Sequence, residues 1–154
     1  FLTRFPAPVL NNSVTDTLAE TDESFIRING WPTFLKGKTI EAACLQEEKK
    51  GQVERVLDHL GKEVEWLQDV PGFVTPRVVS MIVNEAFLAL EEGVSTREEI
   101  DTAMKLGTAY PYGPFEWSKK IGLQLIATLL QTLSATQLRY TPAPLLLHEA
   151  EKAI

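Results

Sequence analysis

Glu41 stands inside the apolar run "TIEAAC", between Ile40 and Ala42. A carboxylate in such a run is costly unless it is exposed or partnered. Two readings follow from the residues alone: an outward-facing strand position, or a partnered group set up for acid–base chemistry. A second concentration of chemistry-bearing groups is "YPYGPFEW", residues 110–117, where rigid aromatic and proline rings gather. It reads either as a packed interhelical loop or as the wall of an apolar ligand site or subunit contact. The other reactive residue types point to no site. His59 falls on a helical run between Val56 and Leu60, as a surface or boundary residue, and His148 lies in a final helix as a structural one. Cys44, the single cysteine, ends a strand and reads as a small core residue. The sequence holds no glycine-rich dinucleotide fingerprint, no Walker loop, no HExxH and no CxxC, and no metal site is expected.

Two kinds of element must position these groups. Before residue 70 the pattern alternates strand and helix. The opening "FLTRFPAPVL" reads as a strand, and "VLNNSVTDTLAE" supplies polar caps before a short helical run. Residues 24–28 ("SFIRI") and 38–44 ("KTIEAAC") are strands. Val53, Val56, Leu57 and Leu60 then mark one face of a helix that stops at Gly61, and "EVEWLQD" (63–69) alternates as another strand. From Pro71 the periodicity is helical. Val78, Val79, Ile82, Val83, Ala86, Phe87 and Leu90 trace one broad face, with Thr75 as cap and Pro76 in the first turn. Ser95 and Glu98 have capping-box spacing ahead of a helix bearing Ile100, Ala103 and Met104. Pro114 opens a helix through about Leu133, and a last helix follows Pro142 with Thr141 as its cap. The expected fold is therefore mainly α: a partial α/β segment over residues 1–70, then an all-helical domain over 71–154.

Composition sets the outer bounds. Apolar residues make up 44% and charged residues 23%, the balance of a soluble globular chain. No segment approaches the run of about 18 apolar residues that a membrane span needs. The net charge of −6, with no basic stripe, argues against a nucleic-acid partner. The absence of a secretion signal in the opening residues, together with the lone cysteine, leads to an expected cytoplasmic location.

The stretch from residue 69 to 123, "DVPGFVTPRVVSMIVNEAFLALEEGVSTREEIDTAMKLGTAYPYGPFEWSKKIGL", resembles the helical C-terminal domain of 3-hydroxyacyl-CoA dehydrogenases. The matching positions run in order through Pro71-Gly72-Phe73, Arg77, Asn84-Glu85-Ala86, Glu92-Gly93, Ile100-Asp101, Gly107, Pro111, Gly113-Pro114-Phe115 and Ile121-Gly122. Upstream, "PAPVLNNSVTDTLAE" and "INGWPTFLKGKTIEAA" are similar to the end of the family's NAD-binding domain. The resemblance implies a Rossmann-like remnant followed by a helical domain like that of 6-phosphogluconate dehydrogenases. It also implies NAD as cofactor, an acyl-CoA substrate or ligand, and a homodimer built through the helical domain.

The family's reaction is hydride transfer between NAD and the 3-hydroxyl of an acyl-CoA. A histidine serves as base, a glutamate supports it, and serine and asparagine bind the reacting oxygen. Carried over residue by residue, Glu41 takes the glutamate's place, with Pro32 at the family's motif proline and one residue inserted between them. Ser13 stands for the serine, and Asn12 lies where the family's segment borders the cofactor. The histidine's place falls on Ile28 or Asn29, the asparagine's on Pro76, and an aspartate after Gly-Pro-Phe falls on Lys119. Two functions follow as expectations: an NAD-dependent 3-hydroxyacyl-CoA dehydrogenase with altered catalytic residues, or a non-catalytic relative serving dimerisation or acyl-CoA binding. A plain structural helical module would account for the helix faces but not for the ordered motif.

Overall fold

The computed structural model describes residues 7–152, which form two compact units meeting in sequence at Phe73 and Val74. The strand expected at the very start falls largely on residues 1–6, outside the described residues.

The first unit holds a four-stranded sheet of β1 (Leu10–Asn11), β2 (Ile26–Ile28), β3 (Thr39–Ala43) and β4 (Glu63–Trp66), in that spatial order. β1 runs parallel to β2, β2 antiparallel to β3, and β3 parallel to β4. The β3–β4 connection carries α1 (Glu47–His59), as a parallel crossover requires. Strand alternation sends Ile26, Ile40 and Ala42 to one face, where they pack with Val53 and Leu57 of α1. Cys44, Val64 and Trp66 border this core. Val56 and Leu60, expected on the buried face, are instead exposed, so the helix buries a narrower stripe than its apolar pattern suggested. His59 is exposed, and β4 stops at Trp66, short of the expected Asp69.

No helix forms over residues 12–21. The side chains that looked like caps bond to nearby backbone and to each other instead. Ser13 Oγ bonds with Asp16, and Glu20 accepts from both the N–H and the hydroxyl of Thr17 at 2.8 Å. Such local bonds give the backbone an alternative to a helix.

Arg27 organises the sheet's other face. It is fully buried, and its guanidinium donates to Asp16 O (2.7 Å) and Val70 O (2.5 Å). It pairs with Asp69 at 3.1 Å and lies 4.4 Å from the Phe73 ring centroid. Asp69 in turn accepts the Leu18 N–H at 2.7 Å. One buried cation thus ties residues 16–18 and 69–73 to β2. Burial lowers the arginine's pKa, and the nearby Asp69 and Asp16 oppose that shift.

The second unit is helical: α2 (Thr75–Glu91), α3 (Arg97–Thr108), α4 (Pro114–Ile121), α5 (Leu123–Ser134) and α6 (Pro144–Lys152). Val79, Val83, Phe87, Phe115, Ile126, Leu129, Leu130 and Leu146 form its buried interior. The Phe87 and Phe115 rings meet edge-on at 5.1 Å, and Arg97 lies over both while pairing with Glu149. Asn84, buried on α2, donates to Thr141 O (3.0 Å) and accepts from Ala143 N–H (2.7 Å), holding the entry to α6.

Several helix ends differ from expectation. Val74 is the N-cap of α2, with no side-chain cap bond, so Thr75 is the first helical residue and Pro76 the second. The capping box of α3 is Thr96–Glu99, one residue beyond Ser95–Glu98, and Ser95 Oγ joins it by donating to Glu99 at 2.6 Å. The helix expected over 114–133 is two helices, because Gly122 at φ +104° takes a backbone conformation that a continuous helix cannot contain. α6 starts at Pro144, and the Thr141 hydroxyl donates back to Leu138 O rather than capping it.

The loop "YPYGPFEW" is a packed interhelical joint. Asp101 of α3 accepts the Phe115 N–H at 2.8 Å, supplying a cap that Gly113 has no side chain to give. Glu116 accepts the Gly113 N–H (3.0 Å) and pairs with Lys105 (2.6 Å). A Cβ on Gly113 would lie 2.5 Å from the Asp101 Cα, a backbone atom that cannot move aside. Gly113→Ala is therefore expected to destabilise the second unit by about 1–3 kcal/mol in urea unfolding.

The same joints make the helical unit acid-sensitive. Glu99 is held below its ordinary 4.5 by the Ser95 hydroxyl, then by Thr96; Glu116 is held below it by Lys105, then by the Gly113 N–H. Folding depresses both, so their contribution is complete above pH 4.5 and is lost as pH falls through the lower folded values. Melting curves of the Glu99→Gln/Glu116→Gln variant should accordingly fall less steeply with acidification than those of the parent, from a lower starting point at neutral pH.

Candidate functional site

β2 ends at Ile28, and the next residue, Asn29, turns toward β3. The Asn29 N–H donates to Glu41 O at 2.9 Å, continuing the antiparallel ladder for one more residue. The two side chains meet as well: Asn29 Nδ2 donates to Glu41 Oε2 at 3.0 Å. Asn29 Oδ1 accepts the Trp31 N–H at 3.3 Å, which fixes the amide with its nitrogen toward the carboxylate. Asn29 and Trp31 are each only 3% exposed. Ile40 and Ala42 point to the α1 core, so Glu41 lies on the opposite face, partly buried and partnered. Glu41 thus faces away from the α1 core, as an outward strand position would, and has a side-chain partner in Asn29.

Asn12 reaches the same place from β1. Its Oδ1 accepts the Gly30 N–H at 2.9 Å and its Nδ2 donates to Gly30 O at 3.2 Å. A Cβ at Gly30 would fall 2.6 Å from Asn12 Cγ, so any larger residue there would push the Asn12 side chain out of these two bonds. Asn12, Asn29 and Glu41 are thus linked through Gly30 by three strands. Ser13 is not joined to them by a hydrogen bond; its hydroxyl bonds with Asp16. Pro76 belongs to the helical unit, where its ring is fully buried in the first turn of α2. Ile28, the other position for the family's histidine, packs against the α1 core.

The chemistry open to this constellation is limited and specific. Glu41 is its only titratable group; His59 and His148 lie on α1 and α6, both exposed. A carboxamide can donate to or accept from a ligand oxygen, but it does not take up a proton near neutral pH. Among the described residues no group of three or more His, Cys, Asp or Glu gathers to hold a metal ion. Both polar atoms of the Asn12 side chain are engaged by Gly30, and the described residues include no glycine-rich phosphate cradle. These residues therefore shape the strand ends and do not themselves fit as the holder of a dinucleotide.

Two residues of the site left little trace in the sequence. Trp31 joins it through a backbone N–H, which no residue type announces. Arg27 draws no reading of its own within the strand "SFIRI", yet it is fully buried and bonds to Asp16 O and Val70 O.

A family model of the 3-hydroxyacyl-CoA dehydrogenase C-terminal domain matches residues 72–152. The chain is 38% identical over 121 residues to 3-hydroxyadipyl-CoA dehydrogenase of Escherichia coli, covering 75% of this chain and 26% of that protein. It is 34% identical over 146 residues to 3-hydroxybutyryl-CoA dehydrogenase of Bradyrhizobium diazoefficiens, covering 90% and 50%. Among solved structures, (S)-3-hydroxybutyryl-CoA dehydrogenase of Ralstonia eutropha superposes with a TM-score of 0.81 at 28% identity, over 94% of this chain and 55% of that one. The Escherichia coli 3-hydroxybutyryl-CoA dehydrogenase structure gives 0.80 at 32% identity, over 96% and 32%. The chain thus spans from about a quarter to a half of the length of these curated relatives.

Proposed function

Because this chain belongs to the 3-hydroxyacyl-CoA dehydrogenase family, we propose that it serves the NAD-dependent interconversion of 3-hydroxyacyl-CoA and 3-oxoacyl-CoA in fatty-acid metabolism, with an altered proton-transfer site. The observation that carries this reading is the 3.0 Å bond between Asn29 Nδ2 and Glu41 Oε2. Glu41 keeps the seat and the partnership of the family's glutamate, and Asn29 occupies the side of the pair where an imidazole would act. NAD, when bound, supplies or accepts the hydride, and its pyrophosphate cradle belongs to a part of the nucleotide domain that these residues do not include.

In the oxidation direction the substrate's hydroxyl proton must leave as the carbonyl forms. Asn29 can bind that oxygen and cannot accept the proton, which therefore passes to water, a slower route than an imidazole–carboxylate pair would give. Residues 1–70 act as the closing part of the NAD-binding domain, and residues 71–154 as the helical substrate and dimerisation domain. Exposed Val74 and Val78 at the start of α2 and Leu125 on α5 give that domain apolar surface for a homodimer.

A second reading, a non-catalytic acyl-CoA-binding or dimerisation module, is favoured by Pro76. Its buried ring has neither a side-chain donor nor an N–H at the position of the family's oxygen-binding asparagine. Calorimetric titration of the full-length protein with acetoacetyl-CoA and NADH, combined with sedimentation, tests both. Binding of both ligands by a dimer supports the first reading, and acyl-CoA binding without NADH supports the second. Binding of neither, by a monomer, contradicts both.

A further inference from the structure

Thr33 occupies a seat made for glycine. The Phe34 N–H donates to Trp31 O at 3.2 Å, closing a four-residue turn through Pro32 and Thr33. Proline in the second position and a positive φ in the third are the marks of a type II turn, whose third residue is ordinarily glycine. Here it is Thr33, at φ +81°. A β-branched side chain is among the least tolerant of that conformation.

A second, separate cost falls on the same residue. The Thr33 Oγ1 is buried and has no hydrogen-bond partner among the described residues. Glycine would remove the strain and the orphaned hydroxyl together, so local stability alone argues against threonine here. The turn is also wired to the site, since the Trp31 N–H donates to Asn29 Oδ1 and the Trp31 carbonyl closes the turn. Strain of this kind gathers where a ligand uses it.

We propose that Thr33 is a ligand-binding residue of the Asn29–Glu41 site, its hydroxyl forming a hydrogen bond with an oxygen of a bound acyl-CoA thioester. The proposal rests on the acyl-CoA reading given above. The hydroxyl is closed off from solvent in this conformation, so ligand entry must swing the turn. The turn's rim is open to such a movement, with Pro32, Leu35 and Lys36 exposed. Relaxation of the left-handed backbone and a partner for Oγ1 would then accompany binding rather than folding.

The test uses the full-length protein, titrated with acetoacetyl-CoA and melted without ligand. Thr33→Gly should raise the melting temperature yet bind acetoacetyl-CoA at least about tenfold more weakly, the loss of one ligand hydrogen bond. Thr33→Val, which keeps the shape and drops the hydroxyl, should weaken binding similarly. Thr33→Ser should bind within about threefold of the parent. Parent-like binding by Thr33→Val overturns this proposal and leaves the acyl-CoA reading standing. Failure of the parent itself to bind acetoacetyl-CoA overturns both.

Discussion

Asn29→His is expected to raise the rate of acetoacetyl-CoA reduction by NADH in the full-length protein by roughly 100- to 10,000-fold, the span that a positioned general acid or base contributes. The reasoning is geometric. Asn29 already places a side-chain nitrogen 3.0 Å from Glu41 Oε2, so a histidine there inherits a carboxylate partner that supports its protonated form. The site is tight, since Asn29 is 3% exposed, and the larger ring must be accommodated beside Trp31. Circular dichroism and melting establish that the variant folds. Asn29→Gln is the control: it disturbs the same space without adding a base and should leave the rate within a few-fold of the parent. Equal rates in the parent and a folded Asn29→His variant would mean that the proton is handled elsewhere.

The largest stability effect is expected at Arg27. Arg27→Met should destabilise the first unit by about 3–5 kcal/mol, the usual result of breaking a buried ion pair by removing one partner. The change strands Asp69, whose side chain is 11% exposed, and leaves Asp16 O and Val70 O without their donor. Removing both charges, in Arg27→Met/Asp69→Leu, should recover part of the loss. Arg27→Lys should fall between, because an ammonium cannot span the same three acceptors in a planar fork. Urea unfolding followed by tryptophan fluorescence reads this out, with Trp31 and Trp66 in the first unit and Trp117 in the second. A loss below about 1 kcal/mol for Arg27→Met would remove the buried clamp from the account.

Period and punctuation were enough to read much of the fold. Val79, Val83 and Phe87 repeat at helical spacing and are buried, and the "TIEAA" alternation delivers Ile40 and Ala42 to the core. What failed did so where one backbone angle or a distant partner decides. Gly122 splits a helix whose apolar pattern runs on across the break, so periodicity carries no sign of it. Residues 12–21 have helix-like spacing, but their short polar side chains bond locally instead. Asp101 caps α4 through the Phe115 N–H, fourteen residues further along the chain, a relation visible only once α3 and α4 are packed.

The candidate site was legible in part. Glu41 stood out because a carboxylate in an apolar strand needs a reason, and the reason is Asn29. The resemblance left the histidine's place between Ile28 and Asn29; Ile28 packs against the α1 core and Asn29 meets Glu41, which is why the proposed function rests on Asn29. Thr33 was beyond sequence reasoning, because its type matters only when its φ is known.

The most direct test of the central claim, that the family's base is replaced by an amide, is the pH–rate profile of the unaltered full-length protein reducing acetoacetyl-CoA with NADH in single turnovers. With an amide in the base's place the rate should be slow, without an inflection near the histidine range of about 6.5, and the inflection should appear on introducing Asn29→His. A fast parent rate that already titrates near that pH would contradict it.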